Sequence, residues 1–345
     1  MDIDERKIKI LQAIINDYIN TAEPVGSRTI AKKYNLGISS ATIRNEMADL
    51  EEMGYLEHLH TSSGRKPSDK GYRLYVDKIM QVPSISLEEE LLIKSQLLNT
   101  ALYEVDKIVK QATQLLSELT KLTCIVKAPS AKQDYIKSIQ LISIDNSSVL
   151  VVIITESGII KNTIIRINKP ISNDILSKLN NLLNAKLRNL TIEEINLSVI
   201  NSIRNDFANH EEIFDAIIPV LYDSLSEAQA SRVYSEGTTN IFNYPEYNDI
   251  GKAREFLYLL DNKETIQKLL NTNNDISISI GEENYLEGAK DYSVISGVYS
   301  LGGRPLGAIG VIGPTRMPYS KIVSLLTKVV KEINDALGKT YLDNK

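Results

Sequence analysis

Residues 27–75 read SRTIAKKYNLGISSATIRNEMADLEEMGYLEHLHTSSGRKPSDKGYRLY. The stretch divides into two short helices, a turn, and a hairpin broken by Gly, Ser and Pro. That is the order of a winged helix-turn-helix. Its second helix is expected from Ser40 to Met53. Ser39 or Ser40 can accept a hydrogen bond from the open N–H groups at the helix start. Ile43, Met47 and Leu50 recur at four and three residues, so they share one buried face. Gly54 follows the last turn and suits a left-handed C′ position. The opposite face is read as Thr42, Asn45, Glu46 and Asp49, with Arg44 nearby. A recognition helix enters the major groove by its N-terminal residues. The acids Asp49, Glu51 and Glu52 at the far end therefore need not meet phosphate. They do oppose the helix macrodipole, a local cost that the sequence leaves unexplained.

Working outward, Ile8, Leu11, Ile14, Ile15, Tyr18 and Ile19 have helical spacing, and Pro24 and Gly26 end that helix. Residues 28–34 form the next helix, with small Ala31 at the crossing. The turn NLGI buries Leu36 and Ile38. Downstream, YLEHLH alternates enough for a strand, and Gly64, Pro67 and Gly71 break the polar run after it. GYRLYV either returns as the second strand or begins a helix. Arg65 and Lys66 are expected at the wing tip, where they suit phosphate or a narrow minor groove. The competing reading is a winged helix that contacts only protein.

SSATIRNEMADLEEMGYLEHLHTSSGRKPSDKGYRLYVD resembles the HrcA family, the heat-inducible transcription repressors of bacteria. The likeness continues in NIFNYPEY, IGEEN and LGGRPLGAIGVIGPTRMPYSKIVSLL, so it covers most of the chain at separated places. Lys66 departs from the family pattern, which has an apolar residue there. The resemblance implies a dimeric repressor of chaperone operons that binds double-stranded DNA at an inverted repeat, with chaperonin keeping it active. It also implies a GAF-like domain carrying an inserted dimerising domain.

The 345 residues are enough for two or three domains. The polar start MDIDERKIK is not a signal peptide, and no apolar run reaches the length of a membrane span. The expected compartment is the cytoplasm. A single cysteine, Cys124, excludes an internal disulfide and is read as a small core residue. The net charge of −5 argues against a protein coated in DNA-binding charge. One weakly basic module binds phosphate feebly. Two on one operator bind far better through effective concentration, so the acidity favours a dimer on a palindrome.

Further along, QVPSIS is a linker, and Ser86 with Glu89 forms a capping box. Residues 87–122 lack Gly and Pro and carry a three/four apolar seam, read as one long helix or two. That seam serves equally as a dimer contact or as packing onto its own domain. Residues 135–167 suggest an antiparallel meander. Helices follow, then strands from ISISI to PLGAIGVIG and a last helix over 319–337. The expected fold is α+β and multidomain: a winged helix-turn-helix (1–80), a linker, long helix and first part of a GAF-like α/β domain (81–167), an inserted, mainly helical dimerisation domain (168–272), and the second part of the GAF-like domain (273–345).

GGRPLGAIGVIGPTR lacks the Lys-Ser/Thr ending of a phosphate loop, so its glycines are read as a hairpin turn and close strand packing. His58 and His60 share a strand face without a third ligand nearby, and no metal or cofactor is expected. No nucleophile–base pattern stands out, so an enzyme is the weakest reading. The reading is a sequence-specific repressor. Thr42, Arg44 and Asn45 read or position bases, Ser39 and Ser40 contact the DNA backbone, and Arg65 and Lys66 anchor the wing. The alternative is a metabolite-gated regulator whose GAF-like domain binds a small ligand.

Overall fold

The computed structural model describes residues 3–58, 64–98, 105–128, 135–156, 160–167, 171–191, 194–195, 197–206, 233–270, 275–301 and 303–342. The chain opens with α1 (Glu5–Thr21), capped by Asp4, whose Oδ1 accepts from Lys7 N at 2.8 Å. Helices α2 (Ser27–Lys33) and α3 (Ser40–Glu52) cross it. Ser39 caps α3 through Thr42 N at 3.1 Å, and Gly54 takes φ +78° just after the helix. The wing strands are β1 (Leu56–His58) and β2 (Arg65–Pro67), paired Leu56↔Pro67, Glu57↔Lys66 and His58↔Arg65. GYRLYV is therefore not the return strand. It lies in α4 (Asp69–Leu74) and the π-helical turn Tyr75–Ile79. Ser68 starts that helix, accepting from Gly71 N at 3.1 Å while donating to Gly54 O at 2.6 Å.

The linker leads into α5 (Leu87–Leu98), where Ser86 and Glu89 form the expected reciprocal box at 3.0 and 3.2 Å. Helix α6 (Val105–Thr120) buries Ile108, Ala112, Leu115 and Leu116. Each large aliphatic group hidden in this way contributes about 1.5–3 kcal/mol relative to exposure. Their partners are in the same chain, so own-domain packing accounts for this half of the seam. On α5, Leu87 and Leu91 remain exposed.

Strand β3 (Thr123–Lys127) follows. The next elements form a separate unit. They are β4 (Ile136–Asp145), β5 (Ser148–Thr155), β6 (Ile160–Arg166), α7 (Asn173–Leu187) and α8 (Leu197–Asp206). The three strands make an antiparallel sheet in the order β4-β5-β6. Ile139, Leu141, Val149, Val151, Ile153 and Ile165 share a core with Leu176, Leu179 and Leu183 of α7. The free edge of β4 is covered by side-chain amides of α7. Asn184 pairs with both Ile139 N (2.9 Å) and Ile139 O (2.6 Å), and Asn180 with Leu141 N (2.6 Å) and Leu141 O (3.1 Å).

The chain then rejoins the main sheet at β7 (Val233–Glu236). After two short 3-10 turns come α9 (Ile250–Asp261) and α10 (Lys263–Leu269), then β8 (Ile276–Ile280), β9 (Tyr292–Leu301), β10 (Arg304–Pro314) and α11 (Tyr319–Leu342). The five strands run antiparallel in the order β7-β3-β10-β9-β8. Side chains alternate between faces along each strand. Cys124, Val126, Ile295, Ile309 and Val311 face α6 and α11, whereas Ile125, Val294, Ala308 and Ile312 face α9 and α10. The first face is continuous with the apolar centre of the N-terminal helical unit, so Ile14, Ile43 and Leu50 belong to the same core as Leu326 and Val329. The glycine-rich GGRPLGAIGVIG stretch is the β9–β10 hairpin and strand β10, not a phosphate loop. Gly303 turns the chain at φ +82°, and a Cβ at Gly307 would overlap Lys127 O and the Tyr299 hydroxyl.

Two expected boundaries change. The meander over 135–167 does not join the main sheet, and the insert does not open at 168. Among the described residues, the unit that interrupts the main sheet holds this three-stranded sheet together with α7 and α8. Residues 233–270, expected inside it, pack on the main sheet instead. Alternation in sequence shows that a strand has an inner face, but not which sheet supplies it. In the structure Lys127 of β3 pairs with Val233 of β7. Residues 128–232 thus replace a hairpin loop.

Substituting a two-residue Asn-Gly turn for residues 128–232 is expected to leave the remaining chain folded, since that turn suits adjacent antiparallel strands. Circular dichroism and cooperative thermal unfolding check this, and loss of the cooperative transition would refute it. Ser39→Ala is expected to cost about 1 kcal/mol in urea unfolding through loss of the α3 cap, with Ser40→Ala near neutral.

Candidate nucleic-acid interface

Helix α3 turns Ile43, Met47 and Leu50 inward. Arg44 and Asn45 are exposed, Thr42 and Ser40 are half-buried, and Ser39 is exposed. Ser39 Oγ also lies 3.0 Å from Thr42 Oγ1, so these two hydroxyls are engaged with each other at the helix start. Among the described residues, the side chains of Arg44 and Asn45 have no hydrogen-bond or ion-pair partner. Their donors and acceptors face outward from the first turns of a capped helix, the end that enters a groove.

Glu46 is not on the open face. It is 9 % exposed, with Lys7 Nζ 2.7 Å from its Oε2 and Arg6 Nη1 3.3 Å from its Oε1. Position 46 follows Ile43 by three residues and precedes Leu50 by four, so the wall of α1 covers it. Lys7 also reaches Asp49 at 3.0 Å. Hydrogen bonds to Glu46 and then Asp49 hold the Lys7 ammonium above the ordinary lysine range. At the other end of α3, Arg65 Nε sits 2.7 Å from Glu51 Oε2. The macrodipole cost left open by the sequence is therefore offset by cations from α1 and the wing. No local pattern in the sequence signals these partners, because Lys7 and Glu46 are 39 residues apart.

This pairing sorts the charge of the module. Asp17 takes Lys33, and Lys33 is raised by that hydrogen bond. Glu57 takes Lys66 at 3.0 Å. Burial pulls Lys66 down, but the Glu57 hydrogen bond and the attraction of nearby negative groups, Glu57 first, together carry the net shift upward. Arg28, Lys32 and Arg44 are exposed cations without an ion partner among the described residues.

Arg65 and Lys66 are strand residues at the side of the wing rather than its tip. Arg65 Nη1 lies 2.9 Å from His58 Nδ1, which fixes the side chain between β1 and α3. A guanidinium has five N–H donors, so Nη2 keeps capacity for another acceptor. The tip, residues 59–63, and with it His60, lies outside the described residues. No group of metal-ligating side chains occurs among the described residues. No helix there is long and apolar enough to cross a membrane.

The family model described as HrcA protein C terminal domain matches residues 106–323. A heat-inducible transcription repressor HrcA of Clostridium acetobutylicum is 61% identical over 339 residues, covering 98% of this chain and 99% of that one. The protein of that name in Clostridium tetani is 55% identical over 338 residues, covering 98% and 96%. Among solved structures, a hypothetical protein superposes with a TM-score of 0.69 at 22% identity, covering 98% of this chain and 100% of its own. That likeness shows a shared fold. The chain belongs to the HrcA family of heat-inducible transcription repressors.

Proposed function

We propose that the protein represses heat-shock operons by placing α3 of two copies in successive major grooves of an inverted-repeat operator. The observation that carries this reading is the α3 charge arrangement. Arg44 and Asn45 stand exposed and unpaired at its front, while Glu46, Asp49 and Glu51 behind them are each held by a cation. In this reading Thr42, Arg44 and Asn45 meet bases, Ser39 and Ser40 lie against the DNA backbone, and Arg65 and Lys66 anchor the wing. The protein would meet its operator in the cytoplasm and owe its active fraction to chaperonin.

The five-stranded sheet with α6 before it and α11 after it is read as GAF-like. Its two faces carry fully buried side chains, and no specific observation favours ligand gating. The insert is read as the dimerising unit. On the outer face of its sheet, Ile142, Leu150 and Ile164 form one cross-strand row, with Ile142 46 % and Ile164 61 % exposed. Isoleucines at such exposure gain by covering each other in a second copy.

Gel shifts on a selected operator and a scrambled duplex test the DNA face. Arg44→Ala is expected to weaken operator binding by about 1–3 kcal/mol, as for a lost bidentate base contact, and to leave scrambled DNA little changed. Arg65→Ala is expected to weaken both duplexes alike. Equal loss on both for Arg44→Ala would remove its base-reading role. Ile164→Glu is expected to shift sedimentation of the full chain to the monomer while a single half-site is still bound. A dimer that survives this substitution at low micromolar concentration would exclude that face.

A further inference from the structure

Three segments far apart in the chain meet the DNA-reading unit at one junction. They are NYPEY (243–247), IGEEN (280–284) and TRMPYS (315–320). Arg316 is 7 % exposed and donates from Nη1 to Ile19 O at 2.8 Å. Ile19 lies in the last turn of α1, a turn that holds no basic residue of its own. The body thus supplies the cation that the open carbonyls at this helix end favour. Glu246 neutralises Arg316 through both carboxylate oxygens, with Nη2 to Oε2 at 3.0 Å. On α4, Arg73 Nε donates to Glu283 at 2.7 Å and Nη2 to Ile278 O at 2.7 Å. Asp69 Oδ2 accepts from Glu282 N at 3.0 Å. Gly281 permits this approach, because it sits at φ +53° and a Cβ there would overlap the Asp69 carboxylate. Between these contacts the rings of Tyr72 and Tyr319 lie 5.7 Å apart.

The linker adds to the restraint. Pro83 O accepts from Ser324 Oγ at 2.6 Å, and Glu89 pairs with Lys321. One contact leaves a pivot and two leave an axis. Contacts on α1, along α4 and on the linker remove that freedom.

We infer that this junction positions the DNA-reading unit on its body and thereby selects the half-site spacing that the repressor accepts. The inference rests on the reading that two copies bind an inverted repeat. Arg73, Glu283 and Gly281 are positioning residues that touch no DNA. A one-base-pair change in spacing rotates the second half-site by about 36°. A rigid junction transmits that mismatch to the second α3, whereas a loose one absorbs it.

The test uses the full-length protein on duplexes whose two identical half-sites are moved apart one base pair at a time, with a single half-site as control. The wild type is expected to prefer one spacing by about tenfold over its neighbours, the scale on which simultaneous engagement is gained or lost. Glu283→Gln and Gly281→Ala should bind the single half-site as well as the wild type does, while their spacing profiles flatten. Exchanging the pair, Arg73→Glu with Glu283→Arg, should restore part of the profile, which a general folding defect would not. Variants that keep the wild-type profile overturn the inference. So does a wild type that holds a single half-site but shows no spacing preference. A wild type that binds neither duplex fails one step earlier, at the operator reading, and the inference falls with it.

Discussion

The guanidinium of Arg316 is closed off from water between the end of α1, the NYPEY turn and its own loop. A charge in that position must be paired. Removing one partner of such a group characteristically costs several kcal/mol, because the other is left buried and uncompensated. Glu246 and the Ile19 carbonyl therefore tie three parts of the chain into one arrangement. The apolar core beneath them has no seam at the domain boundary, since α1, α3, α6 and α11 contribute to the same cluster. Cores of this kind are close-packed and transmit displacement rather than absorbing it. The N-terminal unit is thus an extension of the sheet body, despite a linker whose composition suggests a tether.

An acidic chain can still expose a helix front whose cation is unopposed. The chain carries a net charge of −5, and α3 itself has four acids against one arginine. A shorter acid list would not by itself solve this, because the charges must also be placed. The fold gives three of these acids, Glu46, Asp49 and Glu51, a cation each. Arg6 and Lys7 come from α1, Arg65 from the wing, and they leave Arg44 at the front without a local counter-charge. The field near α3 is then set by position rather than by the sum.

What could be read from the sequence was local. The Ser39 cap, the left-handed Gly54, the Ser86–Glu89 box and the three-stranded meander all follow from residues within a few positions of each other. The α3 core face followed from spacing alone. Contacts across distance were not legible. Glu46 looked like a surface residue because nothing in its own helix marks the arrival of α1. Arg65 looked like a free wing cation because Glu51 lies on another element. The meander reads as part of the main sheet for the same reason, whereas it forms its own. Its strands carry a good inner face, yet only tertiary structure says that α7 covers it. The start of α3 was legible, since a helix N-terminus is recognisable from its cap.

The amides of Asn180 and Asn184 have an effect beyond their own unit. They occupy the backbone row of β4 that another strand would otherwise take. An open row of that kind invites ribbon-like growth from chain to chain. With Ile139 and Leu141 bonded to these two side chains, a second copy cannot extend the sheet along this part of β4. One flank of the small sheet is thereby closed to strand addition by its own helix.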